Sequence, residues 1–367
     1  MKHGIVARNH KSLFPYQAWP TVVCDEDGVL YVGCAGYKLG HWCPMGKNLL
    51  YVSRNGGEAW SVPRVVADDV IDNRDVGLTY LGGKKILLSS FCKTTDFYLA
   101  EGMREHVKNH PSKLRRDVTE GVYHVWENTP KEKLGSGSYV ILSEDGGETW
   151  GEKTYVPVSS PHGPIRLASG KLLYLGKEFY TGQPDFGGGR IMTYESEDDG
   201  RTWSYLGTLE TPDGCTLSEL SEPYPLELPD GTILGMIRAE GPTLPFTFTL
   251  FTCTSQDGGK TWTKPVCLNT CGAPPHLFRH SSGAIILTYG RRHNGPSGVR
   301  ARISRDNGQT FGEEILLGKE IDYWDLGYPS TAELPDGTLI TTYYQRYEED
   351  SFNSILYTKW SLDEVGI

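Results

Sequence analysis

A short repeated turn, S-x-D-x-G-x-x-W, constrains this chain more than any other feature. It runs from Ser143 to Trp150, from Ser196 to Trp203 and from Ser255 to Trp262. Two variants stand at Ser53 to Trp60, with Asn55 in place of Asp, and at Ser304 to Phe311, with Phe in place of Trp. An Asp or Asn side chain caps its own backbone and the Gly accepts a positive φ, so each copy predicts a tight turn. The closing aromatic packs that turn onto a sheet. These staples are structural and carry no catalysis of their own.

A second pattern surrounds them. Six segments read as an apolar strand, a tight turn and a second apolar strand, beginning at Trp19, Val76, Gly163, Glu222, Pro274 and Tyr328. Each is a β-hairpin signal. A third strand leads into each Asp box and a fourth returns from it. Six four-stranded antiparallel units predict an all-β fold, a six-bladed β-propeller with Asp-box turns, spanning 1–367. The strands are called A to D from the inside out. The last blade lacks a box, and HGIVARN at positions 3–9 is expected to supply its outer strand and close the ring. A β-sandwich is the alternative for so many hairpins, but a repeat of 49 residues (Ser255 to Ser304) to 59 (Ser196 to Ser255) does not suit it. One interval is longer: Ser53 to Ser143 spans 90 residues. The excess predicts an inserted, partly helical segment at about 94–137, read as a surface helix, a lid or part of a subunit contact.

Composition narrows the partners. Lys and Arg number 36 against 46 Asp and Glu, a net charge of -10, so nucleic acid is not expected to bind. No run approaches 18 apolar residues, so no membrane span is expected. MKHGIVARNH shows no apolar signal region, which points to a cytoplasmic location, or a secreted one if a leader was removed. The eight cysteines form no CxxC pair and are read as free thiols. No phosphate loop or metal-spaced cluster stands out, so no cofactor and no metal is expected. No oligomeric state follows from the sequence.

In a propeller strand A starts on the face where strand B ends, so these positions ring one mouth of the central channel. Counting along strand B from the turn glycine, Arg238, Lys177, Arg292 and Arg346 share parity and are expected to point the same way. Arg300 opens strand C of blade 5. The A-strand starts add Trp19, Arg74, Asp75, His162, Glu222, His276 and Tyr328. Any one Arg can be read as the partner of a neighbouring acid. As a set they point to an anionic ligand, because guanidinium forks bind carboxylate bidentately. A carboxylate beside a tyrosine can take its proton and make the phenolate a nucleophile.

In these residues the sequence resembles the sialidase (exo-α-neuraminidase) superfamily. Glu222 and Arg238, in SEPYPLELPDGTILGMIR, match the family's Glu and Arg. Arg300, in GVRARISRDNG, fits a second family Arg, with Arg292 as rival. Tyr328, in LGYPSTAELPDG, fits the nucleophile, and Asp75 fits an Asp opening blade 2. Two places depart. Ala18 in QAWP stands where the family has its first Arg, and GYKLGHWCPMGKN holds no carboxylate where the family has its general acid. His41, Lys38, Asp96 and Asp75 remain as substitutes for that acid.

The resemblance implies a retaining exo-glycosidase acting on a terminal acidic sugar, sialic acid or a related one. Tyr328, Glu222 and Asp75 would be catalytic, with Arg238, Arg292, Arg300, Arg74, Arg346, His276, His162 and His41 binding a carboxylated carbohydrate. Two alternatives stay open. One is uronic-acid hydrolysis or lyase chemistry, with His and Tyr as base and acid. The other is a glycan-binding propeller without catalysis.

Overall fold

The computed structural model describes residues 1–181 and 187–366. Six antiparallel sheets surround a central channel. Blade 1 is Tyr16–Cys24, Leu30–Lys38, Lys47–Ser53 and Arg64–Ala67. Blade 2 is Gly77–Gly82, Lys85–Cys92, Gly137–Ser143 and Thr154–Tyr155. Blade 4 is Leu220–Glu227, Ile233–Glu240, Phe248–Ser255 and Val266–Cys271. Blade 5 is His276–Arg279, Ile285–Arg291, Gly298–Ser304 and Ile315–Leu316. Blade 6 takes Gly327–Glu333, Leu339–Arg346 and Asn353–Trp360 from the end of the chain. Its outermost strand, Lys2–Ala7, comes from the beginning and pairs antiparallel with Asn353–Trp360. That exchange closes the ring and completes the fourth strand of blade 6. In blade 3 strand A is broken into Val158–Ser159 and Ile165–Arg166, both paired with Leu172–Glu178.

The Asp boxes form the outer turns between strands C and D. Ser143 Oγ accepts the amide of Gly147 at 2.8 Å, and Asp145 accepts the amide and hydroxyl of Thr149 at 2.9 and 2.5 Å. The same bonds recur at Asp257 and Asp306. Bonds from the following Thr hold all three carboxyls down at about 2. Between blades, apolar faces pack directly: Ile286, Val299 and Leu317 of blade 5 meet Leu339, Tyr343 and Leu356 of blade 6. Each such buried side chain contributes about 1.5–3 kcal/mol relative to exposure.

The insert holds helices Thr95–Leu99, Glu101–Lys108 and Lys113–Glu127. Tyr98, Tyr123 and Trp126 bury one face against Ile71, Tyr139 and Ile141, and Trp126 Nε1 donates to the Val70 carbonyl at 2.6 Å. At its start Lys113–Glu127 reaches blade 6, where Arg115 lies 4.5 Å over the Phe352 ring. No described helix is long and apolar enough to cross a membrane. The eight cysteines are unpaired, five of them buried.

The channel mouth depends on a backbone device in blades 1, 4 and 6. Trp19, Glu222 and Tyr328 have φ of 55°, 48° and 49°. Each precedes a proline, Pro20, Pro223 or Pro329. Each lies within a register shift, Ala18/Thr21, Ser221/Tyr224 and Gly327/Ser330. Proline has no amide to give the ladder, so the strand bulges there. A non-glycine residue in the left-handed region costs roughly 1–3 kcal/mol, a strain that clusters at functional sites.

Candidate active site

The three strained residues meet across the mouth. Tyr328 Oη donates to Glu222 Oε1 at 2.5 Å and accepts from Arg238 Nη1 at 3.3 Å. Arg238 Nη1 also pairs with Glu222 Oε2, and Nη2 holds Glu240 at 2.6 Å. Arg292 lies 5.1 Å over the Tyr328 ring and 5.4 Å from Phe248, whose ring Arg238 covers at 4.7 Å. Trp19 stands edge-on to Tyr328, with centroids 6.5 Å apart.

The electrostatics follow from burial. Burial and the Glu222 charge push the Tyr328 phenol well above its ordinary range, against the pull of Arg238 and Arg292. The phenol is therefore protonated at rest, with its proton directed at Glu222. The cationic form of Arg238 is stabilised despite burial, by Glu222 first and then by Tyr328. Nε and Nη2 of Arg292 are buried with no hydrogen-bond partner among the described residues, as is Nε of Arg238. Buried guanidinium donors without partners are costly and suit an absent anion.

Asp75 shares a cavity of about 60 Å³ with Glu222, Ser221, Ser159 and Lys177. Burial drives its carboxyl up to about 6, with Glu222 adding to the effect and Arg74 opposing it. Its Oδ1 has no partner among the described residues.

The remaining sequence candidates divide. His41 is at the mouth, edge-on to Trp19 at 5.2 Å, with Nδ1 3.0 Å from Asp325 Oδ1. Arg74 is sandwiched between Trp19 and Trp42, at 4.3 and 4.7 Å, and donates to the His41 carbonyl at 3.3 Å. Trp42 and Trp324, 40% and 49% exposed, flank His41 and form an aromatic rim.

Arg300 does not join Arg292. It turns outward to Glu320 at 2.7 Å and the Pro296 carbonyl at 3.3 Å. Arg346 stacks on Tyr323 at 3.3 Å. Lys177 Nζ donates to the carbonyls of Leu217 and Leu220. Shared parity along strand B thus brings together only Arg238 and Arg292.

His162 and His276 lie deeper in the channel than their placement at strand starts implies. His162 Nδ1 meets Thr21 Oγ1 at 3.0 Å and His276 Nε2 meets Ser330 Oγ at 3.3 Å, two residues beyond Trp19 and Tyr328. The bulges in blades 1, 4 and 6 shift the comparison, so a strand's first residue marks different levels in different blades. The two rings are 4.9 Å apart and Tyr224 stacks on His276 at 4.7 Å. Burial lowers His276 to about 3 and His162 well below its ordinary value. His276 and Tyr224 line a separate cavity of about 400 Å³ bounded by Arg166, Arg279 and Glu333 toward the A–B turns.

Two proposed substitutes for the missing acid are engaged elsewhere. Lys38 is fully buried and paired with Asp72. Asp96 lies on the insert, 3.5 Å from Lys131. Asp325, Trp324 and Tyr16 were not found from sequence. The one local signal for Asp325 was its place three residues before Tyr328, as Asp72 stands three before Asp75. Among the described residues no group of His, Cys, Asp and Glu is arranged to hold a metal ion.

Residues 114–341 match the model of the BNR repeat-like domain family. No curated protein matches the chain. Among solved structures it resembles a protein of unknown function from Dyadobacter fermentans, with TM-score 0.74 and 21% identity over 98% of this chain and 97% of that one. It also resembles the intramolecular trans-sialidase from Ruminococcus gnavus in complex with oseltamivir carboxylate, with TM-score 0.65 and 15% identity over 99% and 98%. A third is the α-L-arabinanase of Penicillium chrysogenum complexed with arabinobiose, with TM-score 0.62 and 14% identity over 99% of each chain. At these identities the likeness establishes the fold.

Proposed function

Since this chain belongs to the BNR repeat-like domain family and folds as a six-bladed propeller, we propose that it is a retaining exo-glycosidase acting on a terminal carboxylated sugar, sialic acid or a close relative. The observation that carries this reading is the hydrogen bond from Tyr328 Oη to Glu222 Oε1 between two buried guanidiniums. A binding site for an acidic sugar needs the cations but has no use for a phenol–carboxylate pair.

The roles follow from the contacts. Glu222 takes the Tyr328 proton as the phenolate oxygen attacks the anomeric carbon, so no free phenolate has to accumulate. Arg238 and Arg292 offset the developing phenolate charge. The open donors of Arg292 clamp the sugar carboxylate, and a neutral phenol repels that carboxylate less than an anionic nucleophile would. Asp75, protonated below about pH 6, offers a hydrogen bond to the substrate beside Glu222.

Hydrolysis of 4-methylumbelliferyl α-sialoside, run beside Tyr328→Phe and an aryl uronide, tests the reading. Release of the fluorophore from the sialoside, lost in the variant while the melting temperature holds, is the expected result. Cleavage of the uronide alone, or the absorbance of a new double bond from acidic glycans, contradicts it.

A further inference from the structure

Cleaving a sugar–sugar bond needs a proton for the departing oxygen, and the Tyr328–Glu222 pair cannot give one because its proton is consumed on the other side of the anomeric carbon. Lys38 is sealed against Asp72 and Asp96 pairs on the insert surface. Asp75 opens into the small cavity it shares with Glu222, on the base's side of the phenol. Across Trp19, which touches both rings, stands His41.

His41 is held as an oriented imidazole. Its Nδ1 faces Asp325 Oδ1 at 3.0 Å. Asp325 also accepts Tyr16 Oη at 2.8 Å, Tyr344 Oη at 2.9 Å and Asn353 Nδ2 at 3.1 Å, though it is 1% exposed. Burial opposes its ionisation, but the bonds from His41, Tyr16 and Tyr344 keep its carboxyl below the ordinary range. An ionised Asp325 fixes the His41 proton on Nδ1 and turns Nε2 away from it. Nε2 has no hydrogen-bond partner among the described residues, and the side chain is 24% exposed at the mouth. Trp42 and Trp324 pack against the ring, with centroids at 5.0 and 5.9 Å.

We propose that His41, oriented by Asp325, is the proton donor and then the proton acceptor of the reaction, and that the flanking Trp42 and Trp324 receive the leaving sugar. The inference rests on the glycosidase reading above. In the first step Nε2–H of the imidazolium gives its proton to the glycosidic oxygen as that oxygen takes the electron pair of the C–O bond. The Tyr328 oxygen bonds to the anomeric carbon and its proton passes to Glu222. In the second step neutral Nε2 takes a proton from water, the water oxygen bonds to the anomeric carbon, and the Tyr328 oxygen leaves with the proton from Glu222. The sum is hydrolysis with both proton carriers restored.

The groups facing His41 set its pH range. Burial, Arg74 and Lys38 favour the neutral ring; Asp325 favours the charged one; the balance lies below the ordinary value of 6.5. Activity on an unactivated glycoside therefore has a basic limb below that value. Removing the Asp325 charge moves that limb to still lower pH.

The test compares sialyllactose, whose leaving group needs a proton, with 4-methylumbelliferyl α-sialoside, whose acidic phenol needs little. In His41→Gln, kcat/KM is expected to fall about 10²–10⁴-fold on sialyllactose and less than about tenfold on the aryl sialoside. Azide is expected to speed turnover of the aryl substrate by this variant and not by the wild type. Asp325→Asn is expected to displace the basic limb downward. Equal losses on both substrates in His41→Gln, with its fold intact, overturn the dyad while leaving the Tyr328 reading standing. A wild type that cleaves neither substrate overturns both.

Discussion

Blades 2 and 6 open onto the mouth in the same register and reach opposite ends. In blade 2 Asp72 precedes Asp75 by three residues; in blade 6 Asp325 precedes Tyr328 by three. Both leading aspartates are buried collectors of donors. Asp72 gathers Lys38, Arg74 and Tyr98. Asp325 gathers His41, Tyr16, Tyr344 and Asn353. The difference is the partner. Lys38 has no exposed surface, and its pair with Asp72 is sealed in the interior, where it fixes the wall under Trp19. His41 keeps a second nitrogen facing the mouth, and its ring changes charge at a pH below the ordinary imidazole value. A buried carboxylate thus becomes structural or chemical according to whether its partner has a free end.

The contrast is sharpest in stability. Lys38→Met removes one partner of a fully buried ion pair, leaving Asp72 to Arg74 and Tyr98, and is expected to cost about 3–5 kcal/mol in denaturant unfolding. His41→Gln, whose partner keeps three other donors, is expected to cost less than about 1 kcal/mol. Equal losses would remove the distinction between the two blades.

Asp75 offers the next effect, with a sign that can be checked. Its carboxyl is raised from 3.8 to about 6 in the fold, so the native state binds the proton more tightly than the unfolded chain. The charged form penalises folding fully above about pH 6, and the penalty fades as pH falls from 6 toward 3.8. Asp75→Asn is therefore expected to stabilise the protein at pH 7 by on the order of 2 kcal/mol, with the gain vanishing by about pH 4. Thermal melts across that range measure it, and a gain independent of pH contradicts it.

The smallest contrast separates two arginines of blade 5. Arg292→Ala is expected to lower kcat/KM on the sialoside about 10–100-fold, the worth of one charge-assisted contact. Arg300→Ala, already paired with half-exposed Glu320, is expected to change it less than about threefold. The reverse order would place the carboxylate clamp on strand C.

The propeller was legible because its signal is local. Each Asp box makes its own hydrogen bonds within seven residues, and each hairpin carries its own turn. Tyr328, Glu222 and Arg238 were legible because strand register fixes where a blade meets the mouth, and three X-Pro pairs mark the bulges that aim those side chains. The choice between Arg292 and Arg300 was not, since it depends on how the loop at 292–297 folds back and which acids flank each side chain. The depth of His162 and His276 was lost because bulges shift register between blades. The His41–Asp325 pair joins residues 284 positions apart and has no period to betray it.

The central claim is that Tyr328 forms a covalent bond to the sugar. Incubation with a fluorinated sialosyl fluoride, whose leaving group needs no proton and whose second fluorine slows breakdown, followed by intact mass and peptide mapping, tests it directly. The expected result is one sugar added per chain, on the peptide containing Tyr328, and none in Tyr328→Phe. Label on Glu222 or another carboxylate, or steady hydrolysis of aryl sialoside with no adduct formed, would contradict the account.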